Sequence, residues 1–455
     1  MSARISLLLF AVALALGACG SGDAPDTLYG KWNAGLLDTE RAFALLRGGN
    51  EEAAHEAFAS ARARALTVIR GLESGAFAAE PDAHRLPDRM GAMIRLAELS
   101  MWLGMNDPVE FRRGARLASR AVDEASTRPE AWGVLGAIFL HAGLWDRAAD
   151  CFERHLELAN PEKRTRVYDD LILCRLRLSE RELASGGLRS PGIARRHLTR
   201  AHELATGGEP RPDLSTALER LNLQYAGEAN PAVERGDDLE LARIHSRYGH
   251  LDLCKQKLDE VVSKRGVVGE VRWVVARYWY EPGGTREMLE KADQVYTDLL
   301  KDGTGDSGGR ERALAGRIRV RRRLGRTAAV LELHADAKDP GPEVREELAR
   351  AWLDRAARRD AKDFDGWRAD LLRIEGLLAG DLPDALRADL FVETGFQSVR
   401  FGDRDHLERL VAQFRRTWPE DRRVLLLEAG VDGLRQEPLL PDELGEGGNE
   451  PGETR

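Results

Sequence analysis

Residues 129–161 read PEAWGVLGAIFLHAGLWDRAADCFERHLELANP. Two helical segments meet at Gly143. Trp132, Leu135, Gly136 and Phe139 fall on the first, Ala148 and Phe152 on the second, and Pro161 ends the unit. Small residues at Gly136 and Ala148 let two helices approach closely. Trp132, Phe139 and Phe152 then fill the groove around that contact and the seam to the next pair. One such pair leaves apolar surface on its outer faces, so it needs neighbours of the same kind.

This pattern resembles a tetratricopeptide (TPR) repeat. That family runs Trp, Leu-Gly, aromatic, Gly, Ala, aromatic, Ala, Pro over ~34 residues. Here His155 stands at the last Ala position, and Pro161 comes one place late. With the turn glycine as origin, weaker copies share the same offsets. Gly49 is followed by Ala54, Phe58 and Ala61, and Gly249 by Cys254, Leu258 and Val261. Gly325 is followed by Val330, His334 and Ala337, and Gly402 by Leu407, Val411 and Phe414. The resemblance implies an all-α, TPR-like α-solenoid of stacked antiparallel helix pairs. Such a superhelix has a concave face that takes a protein or peptide partner.

The body around these units is rich in Ala, Leu, Arg and Glu, all strong helix formers. The spacings between the turn glycines are not clean multiples of the repeat, so degenerate helix pairs are expected between them, over 90–125 and 163–205. The chain divides into a lipoprotein signal peptide (1–18), a flexible tether (19–30), an N-terminal TPR-like solenoid (31–205), an irregular linker (206–237), a C-terminal TPR-like solenoid (238–434) and a disordered acidic tail (435–455). The linker is inferred from GGEPRP at 207–212 and GEANP at 227–231. DGTGDSGG at 302–309 predicts a mobile loop.

The amino end decides the address. Ile5 to Leu16 is an apolar run of twelve residues with one Ser. It fits the ~7–15-residue core of an export signal and is shorter than the ~20 residues of a spanning helix. Leu16-Gly17-Ala18-Cys19 resembles a bacterial lipobox, which implies cleavage before Cys19 and lipidation of that residue. Several acyl chains on one cysteine give a firm anchor. Gly20 after the cysteine favours the outer membrane over the inner, by resemblance to the enterobacterial sorting rule.

The chemistry-bearing residues argue for binding rather than catalysis. No HExxH, P-loop, GxSxG or dinucleotide fingerprint occurs in a suitable context, so neither an enzyme nor a cofactor is expected. His245 and His250, like His197 and His202, are five apart rather than the four that would align them on one helical face, so no metal site is expected. Glu73-Ser74 resembles the catalytic pair of solenoid lytic transglycosylases, but the Gly-Leu-Met-Gln segment of that family is absent. Glu73 therefore reads as an exposed helix-end residue. The 68 basic and 76 acidic side chains give a net charge of -8, which argues against nucleic acid as partner. The basic run Arg317, Arg319, Arg321, Arg322 and Arg323 reads as a solvated helix face.

Two features stay open. Cys151 and Cys174 could be bridged, or could be small buried residues on helices. In VRWVVARYWYEPGG, Trp273, Tyr278, Trp279 and Tyr280 could all be core. Alternatively, Trp273, Trp279 and Tyr280 line a partner groove, since aromatics are favoured interface anchors. The expected function is a lipid-anchored, periplasm-facing adaptor or scaffold of a bacterial envelope assembly or secretion machinery. A peptidoglycan-acting enzyme and a small-ligand-binding lipoprotein are the alternatives.

Overall fold

The computed structural model describes residues 27–75, 80, 82–160, 164, 167–185, 190–205, 211–266, 270–302, 307–326, 328–330, 340–360 and 362–435. Cys19, the rest of the signal and anchor segment, and the tail beyond Arg435 lie outside the described residues.

Among the described residues every regular element is helical. In chain order they are α1 (Leu28–Arg47), α2 (Glu51–Ser74), α3 (Arg89–Leu103), α4 (Pro108–Glu124), α5 (Pro129–His141), α6 (Trp145–Leu158) and α7 (Tyr168–Ser185). There follow α8 (Ser190–Ala205), α9 (Pro212–Glu234), α10 (Asp238–Arg247), α11 (Leu251–Arg265) and α12 (Glu270–Val274). After α12 the chain runs without a break through a π-helical turn, Val275–Tyr280, into Glu281–Gly283. The last are α13 (Arg286–Asp302), α14 (Ser307–Arg323), α15 (Pro342–Arg358), α16 (Phe364–Leu378), α17 (Asp384–Phe401), α18 (Arg404–Thr417) and α19 (Arg423–Leu434). Within each unit, many successive helices pack as adjacent pairs, among them α1–α2, α3–α4, α5–α6, α10–α11 and α13–α14. The fold is an all-α, TPR-like solenoid of helix pairs.

The glycine ruler marks real turns. Gly49, Gly143, Gly249, Gly325 and Gly402 all lie in the left-handed region, with φ between +69° and +83°. Only glycine adopts that conformation without strain. Five residues later, Ala54, Ala148, Cys254, Val330 and Leu407 are each 0% exposed. Asn50 and Asp403 follow their turn glycines and cap the next helix, accepting from Ala53 N and His406 N.

Two compact units emerge, and they divide the chain differently from the expected solenoids. The first is residues 1–174 together with 420–455; the second is 175–419. In the first unit an aromatic chain crosses three pairs. Phe43 and Phe58 meet edge to face at 5.3 Å, Phe58 stacks on Trp102 at 5.9 Å, and Trp102 meets His141 at 5.8 Å. Helix α19, expected within the C-terminal solenoid, packs on α4 instead. Arg112 binds Glu428 at 3.2 Å and Asp432 at 2.9 Å, while Arg422 donates to Gly104 O and covers the Phe111 ring. These charged contacts join residues more than 300 apart and leave no periodic trace in the sequence.

Several expected irregular segments are helical. Leu28–Gly30, assigned to the tether, open α1, capped by the Thr27 hydroxyl. The expected linker at 206–237 contains α9. Pro212 sits in its first turn, where a missing N–H is harmless. Pro231 lies in its last turns, and the Gly227 carbonyl that it leaves unpaired belongs to a solvent-exposed residue. Ser307–Gly309, assigned to a mobile loop, begin α14. Cys151, Cys174 and Cys254 are buried free thiols. Burial pushes the thiols of Cys151 and Cys254 up to about 12, so they are unreactive near neutral pH.

Candidate functional site

The strongest repeat unit is built as its residues demand. A methyl group at Gly136 would stand 2.8 Å from the Phe152 ring, so the glycine is what lets α5 lie on α6. Leu135, Ala148 and Phe152 are buried, and Trp132 and Phe139 are half-buried. The Trp132 indole donates to Ser126 O at 2.7 Å. His155, at the family's Ala position, is buried with Nδ1 2.7 Å from Pro129 O, which ties the end of α6 to the start of α5.

Trp273, Trp279 and Tyr280 are all half-buried and pack against the core formed by α10 and α11, where Tyr278 is itself buried. Trp273 and Tyr280 also reach the core of α13 and α14. The π-helical turn has one extra residue per ring, which spreads these aromatics over two neighbours at once. Ser246 donates to the Tyr278 carbonyl at 2.6 Å, satisfying part of the widened turn.

The basic run of α14 is not a solvated face. Glu281, fully buried, accepts from the Tyr296 hydroxyl at 2.8 Å and from Arg319 at 2.9 Å. Arg319 also binds Glu347 at 2.5 Å. Arg317 and Arg321 both reach Asp293, at 3.3 and 2.9 Å. Arg322 stands 3.6 Å from Glu347, and Arg323 donates to Glu281 O at 2.6 Å. Charged partners on α13 and α15, with Glu281 after the π-helical turn, draw Arg317, Arg319, Arg321 and Arg322 inward, while Arg323 stays exposed. A hydropathy pattern cannot register that.

Beside this network lies a cleft of about 690 Å3, wholly within the second unit. Its floor is backbone. A methyl group at Gly192 would meet Arg247 O at 2.7 Å and Gly249 N at 2.9 Å, so α8 touches the α10–α11 turn directly. Arg195, Arg196 and Arg200 come from α8, and Arg323 from the end of α14; Glu203 is the acid among the lining residues. Arg195 contacts His250 Nε2, which must therefore be unprotonated. Burial first, and then the Arg195 charge, lower the His250 pKa. The His250 ring leans on Tyr225 at 4.6 Å, and the Tyr225 hydroxyl lies 2.9 Å from His245 Nδ1. Both histidines thus flank one tyrosine. Among the described residues no cluster of His, Cys, Asp or Glu could hold a metal ion. Of the cleft arginines the sequence singled out Arg323 alone, as part of a basic run read as a solvated face; otherwise only the turn at Gly249 pointed toward the cleft.

Two sites bear on catalysis. Glu73 ends α2 and binds Arg89 at 2.9 Å. Ser398, His406 and Glu375 form a relay, with Ser398 Oγ 2.7 Å from His406 Nδ1 and His406 Nε2 2.9 Å from Glu375. Ser398 is 0% exposed and also donates to Thr394 O at 3.1 Å, so its hydroxyl is closed to any substrate and serves to join α17, α18 and α16. Among the described residues no helix is long and apolar enough to cross a membrane.

No family model matches this chain, and no curated protein does. Among solved structures it is similar to one titled "Structure of Naa15/Naa10 bound to HypK-THB", at 11% identity and a TM-score of 0.22, over 86% of this chain and 64% of that one. It is also similar to a "Circular tandem repeat protein with novel repeat topology and enhanced subunit contact surfaces", at 14% identity and a TM-score of 0.16, over 88% of this chain and 87% of that one. The chain spans less than two thirds of the first of these, 64% of its length.

Proposed function

We propose that this protein is a non-catalytic adaptor of the bacterial cell envelope, a TPR-like lipoprotein that holds a protein or peptide partner on stacked helix pairs. The observation that carries the reading is the cleft between α8 and the α10–α11 turn, a concave and charged surface set into the repeat stack. Repeat solenoids bind through such surfaces, because each pair adds area without adding a separate core. The lipobox-like segment ending in Cys19 supports a lipid anchor facing the periplasm, and Gly20 supports the outer membrane.

Proximity crosslinking from native membranes tests the adaptor role, with Cys19→Ser as the control for location. A defined protein partner should be captured by the wild type and depleted in the control. Recovery of no partner by the wild type would overturn the reading. Metabolic labelling with a fatty acid should mark the wild type and spare Cys19→Ser; an unlabelled wild type would remove the anchor.

A further inference from the structure

Many arginines elsewhere in this fold are answered by carboxylates. Arg112 has Glu428 and Asp432, Arg319 has Glu281 and Glu347, and Arg359 has Asp370 and Asp363. The cleft gathers several that are not. Arg195 faces a neutral imidazole, and Arg323 faces a backbone carbonyl. Arg196 is exposed and makes no hydrogen bond or ion pair among the described residues. Three guanidinium groups therefore converge on one cavity without a carboxylate of their own. Arg200 is partly answered by Glu203 at 3.4 Å.

We infer that this cleft binds an acidic peptide segment of the partner, supplying the carboxylates that the chain itself withholds. The inference rests on the adaptor reading above and names the chemistry of what is held. Guanidinium groups favour carboxylates through charge-assisted, often bidentate hydrogen bonds. Ile193, Leu251 and Pro282 share the lining, so an apolar side chain beside the carboxylates would also be covered. The volume suits a short segment. A long polyanion fits poorly, since the whole chain carries -8 and would repel the charges left outside the cleft.

The test uses the full-length chain in detergent and a fluorescently labelled peptide of alternating Glu and Leu. Polarisation should show saturable binding that weakens with added salt. The matched Gln–Leu peptide should bind at least about tenfold more weakly, and Arg196→Glu should weaken the Glu–Leu peptide by about tenfold or more. Arg196 has no internal contacts to lose, so an unchanged thermal midpoint confirms that the variant is folded. Absence of Glu–Leu binding, or binding indifferent to Arg196→Glu, would overturn the inference. Tighter binding of single-stranded DNA or of anionic vesicles would overturn it in favour of a polyanion or a membrane. Partner capture unaffected by Arg196→Glu removes the cleft and leaves the adaptor. Peptide binding without any captured partner removes the adaptor and leaves the cleft.

Discussion

The pair α5–α6 in the first unit and the pair α13–α14 in the second are closed by one device, a glycine beneath an aromatic ring. Gly136 lies under Phe152, and Gly316 lies under Tyr296, where an added methyl group would stand 2.5 Å from the ring. Both rings are fully buried. The difference is one hydroxyl. Phe152 completes an apolar contact. The Tyr296 hydroxyl needs a buried acceptor, Glu281 provides it, and Glu281 in turn needs Arg319 and Arg277. One polar atom in the core thus commits a whole region to charge, because a buried charge is tolerated only when paired.

The sharpest way to break this comparison is Glu281→Ala. It removes one of the two carboxylates that hold Arg319 and the acceptor of the Tyr296 hydroxyl, and should remove about 3–5 kcal/mol of stability in urea unfolding. Replacing the set together, as Glu281→Leu with Arg319→Met and Tyr296→Phe, should restore most of that loss. If Glu281→Ala costs under about 1 kcal/mol, the charged core is not what holds α14.

The next effect separates the units by pH. In the first unit, His141 is kept neutral rather than paired. Burial, helped by the nearby Arg422 charge, lowers its pKa to about 4 from the usual 6.5. The unfolded chain takes the proton at higher pH, so this contribution is complete above about pH 6.5 and is lost as pH falls toward about 4. At most about 3.5 kcal/mol is involved. His245 and His250, also lowered by burial, act in the same sense in the second unit. His141→Gln should flatten the pH dependence of the denaturation midpoint between about pH 6.5 and about 4. An unchanged curve would show that His141 is not held neutral.

Smaller effects test the glycines. Gly136→Ala and Gly316→Ala should each cost about 1–3 kcal/mol by overpacking. Phe152→Leu should rescue the first. Tyr296→Leu should not rescue the second, because it removes a hydrogen bond from Glu281. Equal rescue would mean that the hydroxyl makes no difference. The smallest change is Gly236→Ala, at about 1 kcal/mol, from φ of +66°. No loss in a thermal melt would mean that this turn relaxes.

Gly236 also shows how much of the fold was legible. Read with the same ruler, it is preceded by Ala229 and followed by Leu241, His245 and Tyr248, all buried. It is followed by Asp237, which caps α10 as Asn50 caps α2. The signal was present, but it was hidden by the prolines and glycines nearby, which read as a linker. Pro231 was misleading because a proline in a last helical turn removes only one bond, and here the freed carbonyl is exposed. The candidate site was legible only as the turn at Gly249. Arg195 and Arg196 look like any other arginines of this chain until their surroundings are known, and Arg323 reads only as one member of a basic run.

The sequence by itself determined the helices, the antiparallel pairing and the turn positions. These depend on local spacing: apolar residues on a 3.6-residue period, a small residue at each close contact, and a glycine where φ must be positive. It also carries the lipobox-like Cys19. Only the tertiary structure decided where the charges go. Whether an arginine faces water, a buried glutamate or a cleft depends on which distant helix lies opposite, as Arg112 and Asp432 show across 320 residues of chain. Helical periodicity orders residues along one helix; charge pairing is set by contacts between helices, and no local pattern encodes those.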